Sequence, residues 1–347
     1  MFRALLYCLE GSVSMKKSTS GNKLNLIFYS LEPYFQQQYE RYARQFNMKF
    51  LSTQLNENTA VFSFNCDVVV ACPMDRVNAA VIDELVSCGV KLLAMRSAGY
   101  NNVDLEYARG KLPVVYVPDY SPYSVAEYAI ALMLTVIRNT HKAYIRTRAH
   151  DFSITHLTGF ELHGKTVGIV GEGRIGQCAI KICQGMGMKV LVNTPHPHML
   201  PDVEYVGLDE LYQRCDIIQF HCPLTKDNHH MINDESIARM KPGMVLINTA
   251  RGGLIDSEAL IRGLNARIIR AAGLDVYERE AGVFNVDYTN DILADQTLQI
   301  LLGFPNVVLS SHQAYFTEES LTALCDITIQ NIRDFFETGD CGNLLWR

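Results

Sequence analysis

No stretch of this sequence is apolar for long enough to cross a bilayer. The longest apolar run, Ala129 to Ile137, falls far short of the roughly 20 residues that a spanning helix needs. The N-terminal stretch Phe2 to Leu9 carries Arg3 and a short apolar core, but Glu10 ends it before it reaches the length of a signal peptide's apolar region. An excess of positive charge is also missing. With 31 Lys and Arg against 37 Asp and Glu the formal net charge is −6, which leaves no electrostatic footprint for nucleic acid or an anionic membrane. The ten cysteines include no C-x-x-C pair; scattered thiols in a large chain read as reduced core residues and point to the cytoplasm. His196, His198, His229 and His230 have no acidic or cysteine partners at metal-ligand spacing, so no metal is expected. Solenoid-period repeats and low-complexity tracts are absent too.

What remains is an ordinary globular composition, 48% hydrophobic and 20% charged over 347 residues, enough for about two domains. Residues 1–22 read as a disordered leader, with Met15 as an alternative start. Buried strands are predicted at 24–30, 66–71, 91–95 and 114–117, with helices from Pro33 to about Phe46 and from Asn78 to Cys88. Pro118 and Pro122 mark a hinge, and a long helix runs from Ser124 to about Thr147. Further strands follow at 166–170, 189–193, 216–220, 244–248, 271–275 and 306–310, and a last helix at 318–336. This alternation predicts an α/β protein of two Rossmann-like, doubly wound parallel-sheet domains. The first, flavodoxin-like and discontinuous, comprises 23–120 and 316–347; the second comprises 121–315.

The second domain opens on Gly171-Glu172-Gly173-Arg174-Ile175-Gly176, directly after a β-branched run. In a Gly-x-Gly-x-x-Gly turn between strand and helix, Gly171 permits the tight turn and Gly173 lets the backbone approach a pyrophosphate. Gly176 lets helix and strand pack closely, and the free N–H groups of the helix start face the phosphates. Taken alone such a turn is a weak signal; the strand–helix alternation on both sides strengthens it.

Ligands in such sheets bind outside the carboxyl ends of the strands. Arg251 follows strand 244–248, Asp275 ends strand 271–275 with Glu280 in the loop beyond, and His312 follows strand 306–310. Singly, each reads as a surface charge or a loop cap. Together they suit carbonyl reduction: an Arg holds a substrate carboxylate bidentately, a His delivers a proton to the nascent alkoxide, and a carboxylate behind it keeps it charged. His221 and Cys222 end strand 216–220 and read as lining of a cofactor crevice; nothing marks Cys222 as a nucleophile.

These segments together resemble the D-isomer-specific 2-hydroxyacid dehydrogenases, most closely the fermentative D-lactate dehydrogenases. The matching stretches are Met95 to Asp104, Ser124 to Glu127, the glycine turn, His221 to Thr225, Asn248 to Gly252, Gly273 to Glu278 and Ser311 to Tyr315. The run Glu280 to Asn285 is similar to the lactate branch. The resemblance implies NADH-dependent reduction of pyruvate to D-lactate in a cleft between a substrate domain and an NAD-binding domain. It implies that Arg251 binds the 2-oxo acid and that His312, paired with Glu280, is the proton donor. The amides of Ala98 and Gly99, with Tyr120, hold the substrate carboxylate, and Tyr315 faces the substrate side chain. Arg174 and Ile175 sit at the pyrophosphate of NAD, Cys222, Pro223 and Asn228 border the adenosine side, and Thr249, Ala250 and Asp275 approach the nicotinamide. Relatives of this kind are homodimers, with an arm from about Tyr144 to Lys165.

Three positions depart from the family pattern. Thr194 stands where the usual Asp accepts from the adenosine ribose, which implies NADH preference with weakened discrimination against NADPH. Glu172, inside the phosphate turn, is expected to point at solvent with Arg174 offsetting its charge. Tyr315 replaces the usual Phe. The rival readings are a glyoxylate/hydroxypyruvate or branched-chain 2-oxo acid reductase and, from another class, a nucleotide-sensing interaction protein like the C-terminal-binding co-repressors; the lactate-type run disfavours the former and the lack of long interaction tails the latter.

Overall fold

The computed structural model describes residues 23–346, so the expected leader and the alternative start at Met15 lie outside the described residues. The chain forms two compact units, one from the residues up to Tyr120 together with those from Leu321 onward, the other from Ser121 to Ser320.

In the first unit, five strands, β1 (Asn25–Phe28), β2 (Asn47–Phe50), β3 (Val68–Ala71), β4 (Leu92–Met95) and β5 (Val114–Val115), line up in the order β2-β1-β3-β4-β5. All pairs are parallel, and the order is that of flavodoxin-like sheets. β3 and β4 are buried along their whole length, which explains their unbroken apolar sequence: a parallel sheet has helices over both faces. β2 has no counterpart among the expected strands. It is an edge strand that alternates exposed and half-buried residues, Asn47-Met48-Lys49-Phe50, and lacks the apolar run by which the others are read. The helix from Pro33 ends at Tyr39 and passes into a 3-10 turn, Glu40–Tyr42. From Leu321 on, the helix Glu318–Thr338 packs in this unit, burying Ile329 and Ile332 and donating from Asn331 Nδ2 to Tyr116 O at 2.8 Å.

The second unit holds seven strands rather than the six expected: β6 (Thr166–Val170), β7 (Lys189–Asn193), β8 (Val203–Tyr205), β9 (Ile217–Phe220), β10 (Met244–Asn248), β11 (Ile269–Leu274) and β12 (Val307–Leu309). Their order is β12-β11-β10-β9-β6-β7-β8, again wholly parallel. It is the dinucleotide-binding order with one strand added at an edge. β8, the unexpected strand, is a short edge of Val203, Glu204 and Tyr205 with no residue fully buried. The helices Pro122–Arg138 and Arg174–Gly185 bury one face of the sheet. Leu208–Arg214, Asp234–Ala238, Ser257–Asn265 and Gln296–Gly303 bury the other.

The single helix expected from Ser124 to Thr147 is two, Pro122–Arg138 and Thr140–Arg148, broken at Asn139 with φ 55°. Asparagine tolerates the left-handed conformation, and its side chain holds the break by accepting from Lys142 Nζ at 2.9 Å and donating to Leu157 O at 3.3 Å.

Candidate active site

The strand order puts the carboxyl ends of β6 and β9 side by side, at the point where the order of successive strands reverses. Gly171 closes the turn after β6 with φ +97°. A Cβ there would lie 2.7 Å from His221 O and 2.8 Å from Cys222 N, and one on Gly176 would lie 2.1 Å from Gly171 O. Only glycine permits the turn to press against β9 in this way. Gly173 caps the helix Arg174–Gly185, and a Cβ on it would meet nothing within 4 Å.

Glu172 does not point at solvent. It is 2% exposed, and its carboxylate accepts from Tyr205 Oη at 2.6 Å and from His198 N at 2.9 Å, with His198 Nδ1 3.4 Å away. Burial of a carboxylate requires such donors, and here they come from β8 and from the loop after β7, which Glu172 straps to the phosphate turn. At the end of β7, Thr194 Oγ1 accepts from His196 N at 3.3 Å. Asn228 spends its side chain on its own loop, accepting from Thr225 N at 2.7 Å and donating to Pro223 O at 2.8 Å. Burial pushes the Cys222 thiol up to about 11, the opposite of a nucleophile's tuning.

Two buried polar atoms at the carboxyl ends of β9 and β10 have no partner among the described residues: His221 Nδ1 and Thr249 Oγ1. Buried polar atoms are ordinarily paired. With the close-packed glycine turn and the helix N-terminus, they fit a dinucleotide that carries its own donors and acceptors.

Arg251, Glu280 and His312 follow β10, β11 and β12, three neighbours in the sheet. His312 Nδ1 lies 2.8 Å from Glu280 Oε1, and Glu280 Oε2 accepts from Tyr277 N at 3.1 Å. Arg251 donates from Nη1 to Ala250 O at 2.7 Å and has no acidic partner among the described residues. Its loop is shaped by Asn248, whose side chain accepts from Ala250 N at 3.0 Å and donates to Arg251 O at 2.9 Å. The Arg251 loop meets the Glu280 loop at Gly252, where a Cβ would fall 2.0 Å from Tyr277 C.

Asp275 is fully buried and takes no outward-facing position. Its carboxylate accepts from Ser310 Oγ at 2.7 Å, Gln313 N at 2.9 Å and Ala314 N at 2.8 Å, while its carbonyl accepts from His312 N at 2.7 Å. It therefore builds the loop in which His312 sits at φ 54° and which continues to Tyr315. His230 forms a second brace that no sequence spacing reveals: its ring lies 2.8 Å from Glu278 Oε2 and its N–H donates to Gly253 O at 2.8 Å, tying three loops together.

In the first unit, Ala98 and Gly99 follow β4. Ser97 Oγ donates to Gly99 O at 2.7 Å, while the N–H groups of Ala98 and Gly99 have no acceptor among the described residues. Tyr120 closes this unit.

A dinucleotide turn beside a cation and a carboxylate-backed imidazole defines the class, a nicotinamide-dependent dehydrogenase. The model of the D-isomer-specific 2-hydroxyacid dehydrogenase NAD-binding domain matches residues 130–314. The chain is 41% identical to the D-lactate dehydrogenase of Escherichia coli, over 93% of this chain and 100% of that protein. It is 44% identical to a D-lactate dehydrogenase of Curvularia clavata, over 86% of each. A solved structure described as the pyruvate reductase of Chlamydomonas reinhardtii superposes with a TM-score of 0.88 at 41% identity, covering 92% of this chain and 98% of that one. The chain belongs to the D-isomer-specific 2-hydroxyacid dehydrogenase family. It is an oxidoreductase of D-2-hydroxy acids that uses a nicotinamide cofactor.

Asp275→Asn offers one acceptor oxygen where the carboxylate has two, and leaves a buried donor unpaired. Unfolding free energy should fall by about 1–3 kcal/mol and turnover should drop as the His312 loop shifts. Burial raises the Asp275 pKa, opposed by the hydrogen bonds from Ser310, Gln313 and Ala314. The folded chain thus holds this proton more tightly than the unfolded one. The group's contribution to stability is full below the ordinary carboxyl value of about 4 and is lost as pH rises through the raised value. Urea titrations from about pH 3 to 7 should show that slope in the natural chain and not in Asp275→Asn.

Proposed function

We propose that this enzyme reduces pyruvate to D-lactate, reversibly, with NADH. The observation that carries the reading is the 2.8 Å contact of His312 Nδ1 with Glu280, beside a cation free of acidic partners among the described residues. Glu280 accepts a hydrogen bond from Nδ1–H, so Nε2 is the group left to donate to the carbonyl oxygen and, in oxidation, to accept from the hydroxyl. Arg251 binds the substrate carboxylate and offsets the charge that develops on the oxygen. The nicotinamide, when bound, supplies the hydride for the carbonyl carbon. Hydride to carbon and proton to oxygen balance the reduction.

Residues 23–120 and 316–347 serve as the substrate domain in this reading and 121–315 as the NAD domain. Ala98, Gly99 and Tyr120 hold the carboxylate, and Tyr315 limits the substrate's side chain. The run Glu280 to Asn285 supports pyruvate over larger 2-oxo acids. Among the cofactor residues, Gly171, Gly173, Arg174, Ile175 and Gly176 hold the pyrophosphate. Thr194, Cys222, Pro223 and Asn228 border the adenosine, and Thr249, Ala250, Arg251 and Asp275 stand toward the nicotinamide, Asp275 acting through the loop it builds. NADH is preferred because no Arg lies in 193–201 to meet a 2′-phosphate, while the neutral Thr194 leaves slow use of NADPH. The enzyme works in the cytoplasm, and as a homodimer; supporting the dimer, Tyr144, Ile145, Phe152 and Ile154 on the 144–165 arm are 63%, 64%, 74% and 84% exposed.

Steady-state reduction of pyruvate, glyoxylate, hydroxypyruvate and larger 2-oxo acids, with chiral analysis, should give the highest kcat/KM for pyruvate and a D product. A larger acid preferred tenfold, or an L product, sinks the reading, and a large NADPH advantage sinks the coenzyme assignment. Glu280→Gln removes the carboxylate that orients the His312 ring through the 2.8 Å contact, so kcat for pyruvate reduction should fall by about tenfold or more; an unchanged kcat counts against the pairing. Light scattering should return twice the 39.1 kDa chain mass, and a monomer at micromolar concentration refutes the dimer.

A further inference from the structure

The central strand β9 reads Ile217-Ile218-Gln219-Phe220, and Gln219 is completely buried in it. A buried amide is costly beside an apolar side chain of the same size unless its bonds are all used. Gln219 Nε2 lies 3.3 Å from Met133 Sδ and 3.8 Å from Cys183 Sγ, and Gln219 Oε1 lies 3.1 Å from His221 Nε2. The orientation of the amide follows from chemistry. A thioether has no hydrogen to give, so the NH2 group faces Met133 and the oxygen faces His221. An oxygen there accepts, and Nε2 must therefore bring the hydrogen. A neutral imidazole has only one N–H, which leaves Nδ1 as a bare acceptor. That is the atom which is buried without a partner among the described residues. Burial also pulls the His221 pKa down to about 4, so the ring is neutral at physiological pH. Its backbone lies against Gly171, and its Cβ stands 3.7 Å from the position a Gly176 Cβ would take.

We propose that Gln219 is a positioning residue acting through His221: it fixes the Nε2–H tautomer and so presents Nδ1 as an acceptor to a donor of the dinucleotide. Among such donors the ribose hydroxyls are nearest in the ligand to the pyrophosphate that the glycine turn holds. The inference rests on the coenzyme site and not on the identity of the 2-oxo acid, so pyruvate failing as a substrate leaves it standing.

Two-bond proton–nitrogen correlation spectra of the coenzyme-free protein, labelled at the imidazole nitrogens, read the tautomer directly. His221 should show Nε2 protonated and Nδ1 bare, without titrating between about pH 6 and 8. In Gln219→Leu the ring should populate both tautomers, and the Kd for NADH, read by fluorescence, should rise about tenfold, a loss of one neutral hydrogen bond. KM for NADH should change more than kcat. His221→Phe should raise Kd by a similar factor, and the double variant should add nothing further, as expected of two residues acting as one unit. A merely structural Gln219 would lower Tm while leaving tautomer and Kd alone. An Nδ1–H tautomer in the natural chain overturns the proposal, as does an unchanged Kd in Gln219→Leu. Should that variant not fold, the natural chain's tautomer and the Kd of His221→Phe decide the matter.

Discussion

The 2.8 Å contact between the His312 imidazole and the Glu280 carboxylate is the constraint around which the loops after β10, β11 and β12 are built. Neither residue can hold it alone. His312 sits in the left-handed region, a conformation that a non-glycine residue keeps only where its surroundings enforce it. Asp275 enforces it through four accepted hydrogen bonds, three to its carboxylate and one to its carbonyl. Glu280 is held in turn by the Tyr277 amide, and its loop is wedged on Gly252 and braced by His230 through Glu278. Arg251 is carried by the same contact, because Gly252 is the next residue. Positioning of this kind converts separate groups into one preorganised site.

The wholly parallel sheet explains why all these groups meet at one end. Every strand delivers its carboxyl terminus to the same edge, so residues far apart in sequence become neighbours through strand order alone. In each of the two sheets, several buried polar residues stand at the carboxyl ends of the strands. Ser30 follows β1, Asp75 follows β3, Arg96 follows β4, Glu172 follows β6, Asn248 and Thr249 flank the end of β10 and Asp275 follows β11. Thr249 Oγ1 apart, their burial is offset by hydrogen bonds to loop amides, hydroxyls and carbonyls. Asp75, for example, accepts from Ser30 Oγ, Leu55 N and Cys72 N at 2.6, 2.8 and 2.7 Å.

That geometry also sets how much was legible in the sequence. Fully buried strands announce themselves as unbroken apolar runs, and the central strands of both sheets are readable in that way. The edge strands β2 and β8 are half exposed, carry Lys49 and Glu204, and offer no such run. The break at Asn139 hides in an otherwise helical pattern because one residue in a left-handed conformation changes no periodicity. Arg251, Glu280 and His312 are readable as a set because each stands just after an apolar strand. Their supports are not. Asp275 reads as one more acid at a strand end, and only the fold shows its carboxylate turned inward; Glu172 reads as a solvent-facing charge until β8, unseen in the sequence, supplies Tyr205 to receive it.

The errors share a physical cause. A polar side chain in a sequence is judged against water, because its partners are unknown until the chain is folded. Glu172 and Tyr205 are 33 residues apart, His230 and Glu278 48, and Asp275 and Ala314 39, beyond any local spacing rule. Such pairs are favourable only when the sheet brings both members together and removes water from them. A buried acid or amide in this protein is therefore informative about function, since at each of these positions an apolar residue would fill the space and build no loop. Asp275, Glu172 and Asp75 each convert the cost of burial into a fixed conformation at the carboxyl edge of a sheet, which is where ligands of such sheets bind.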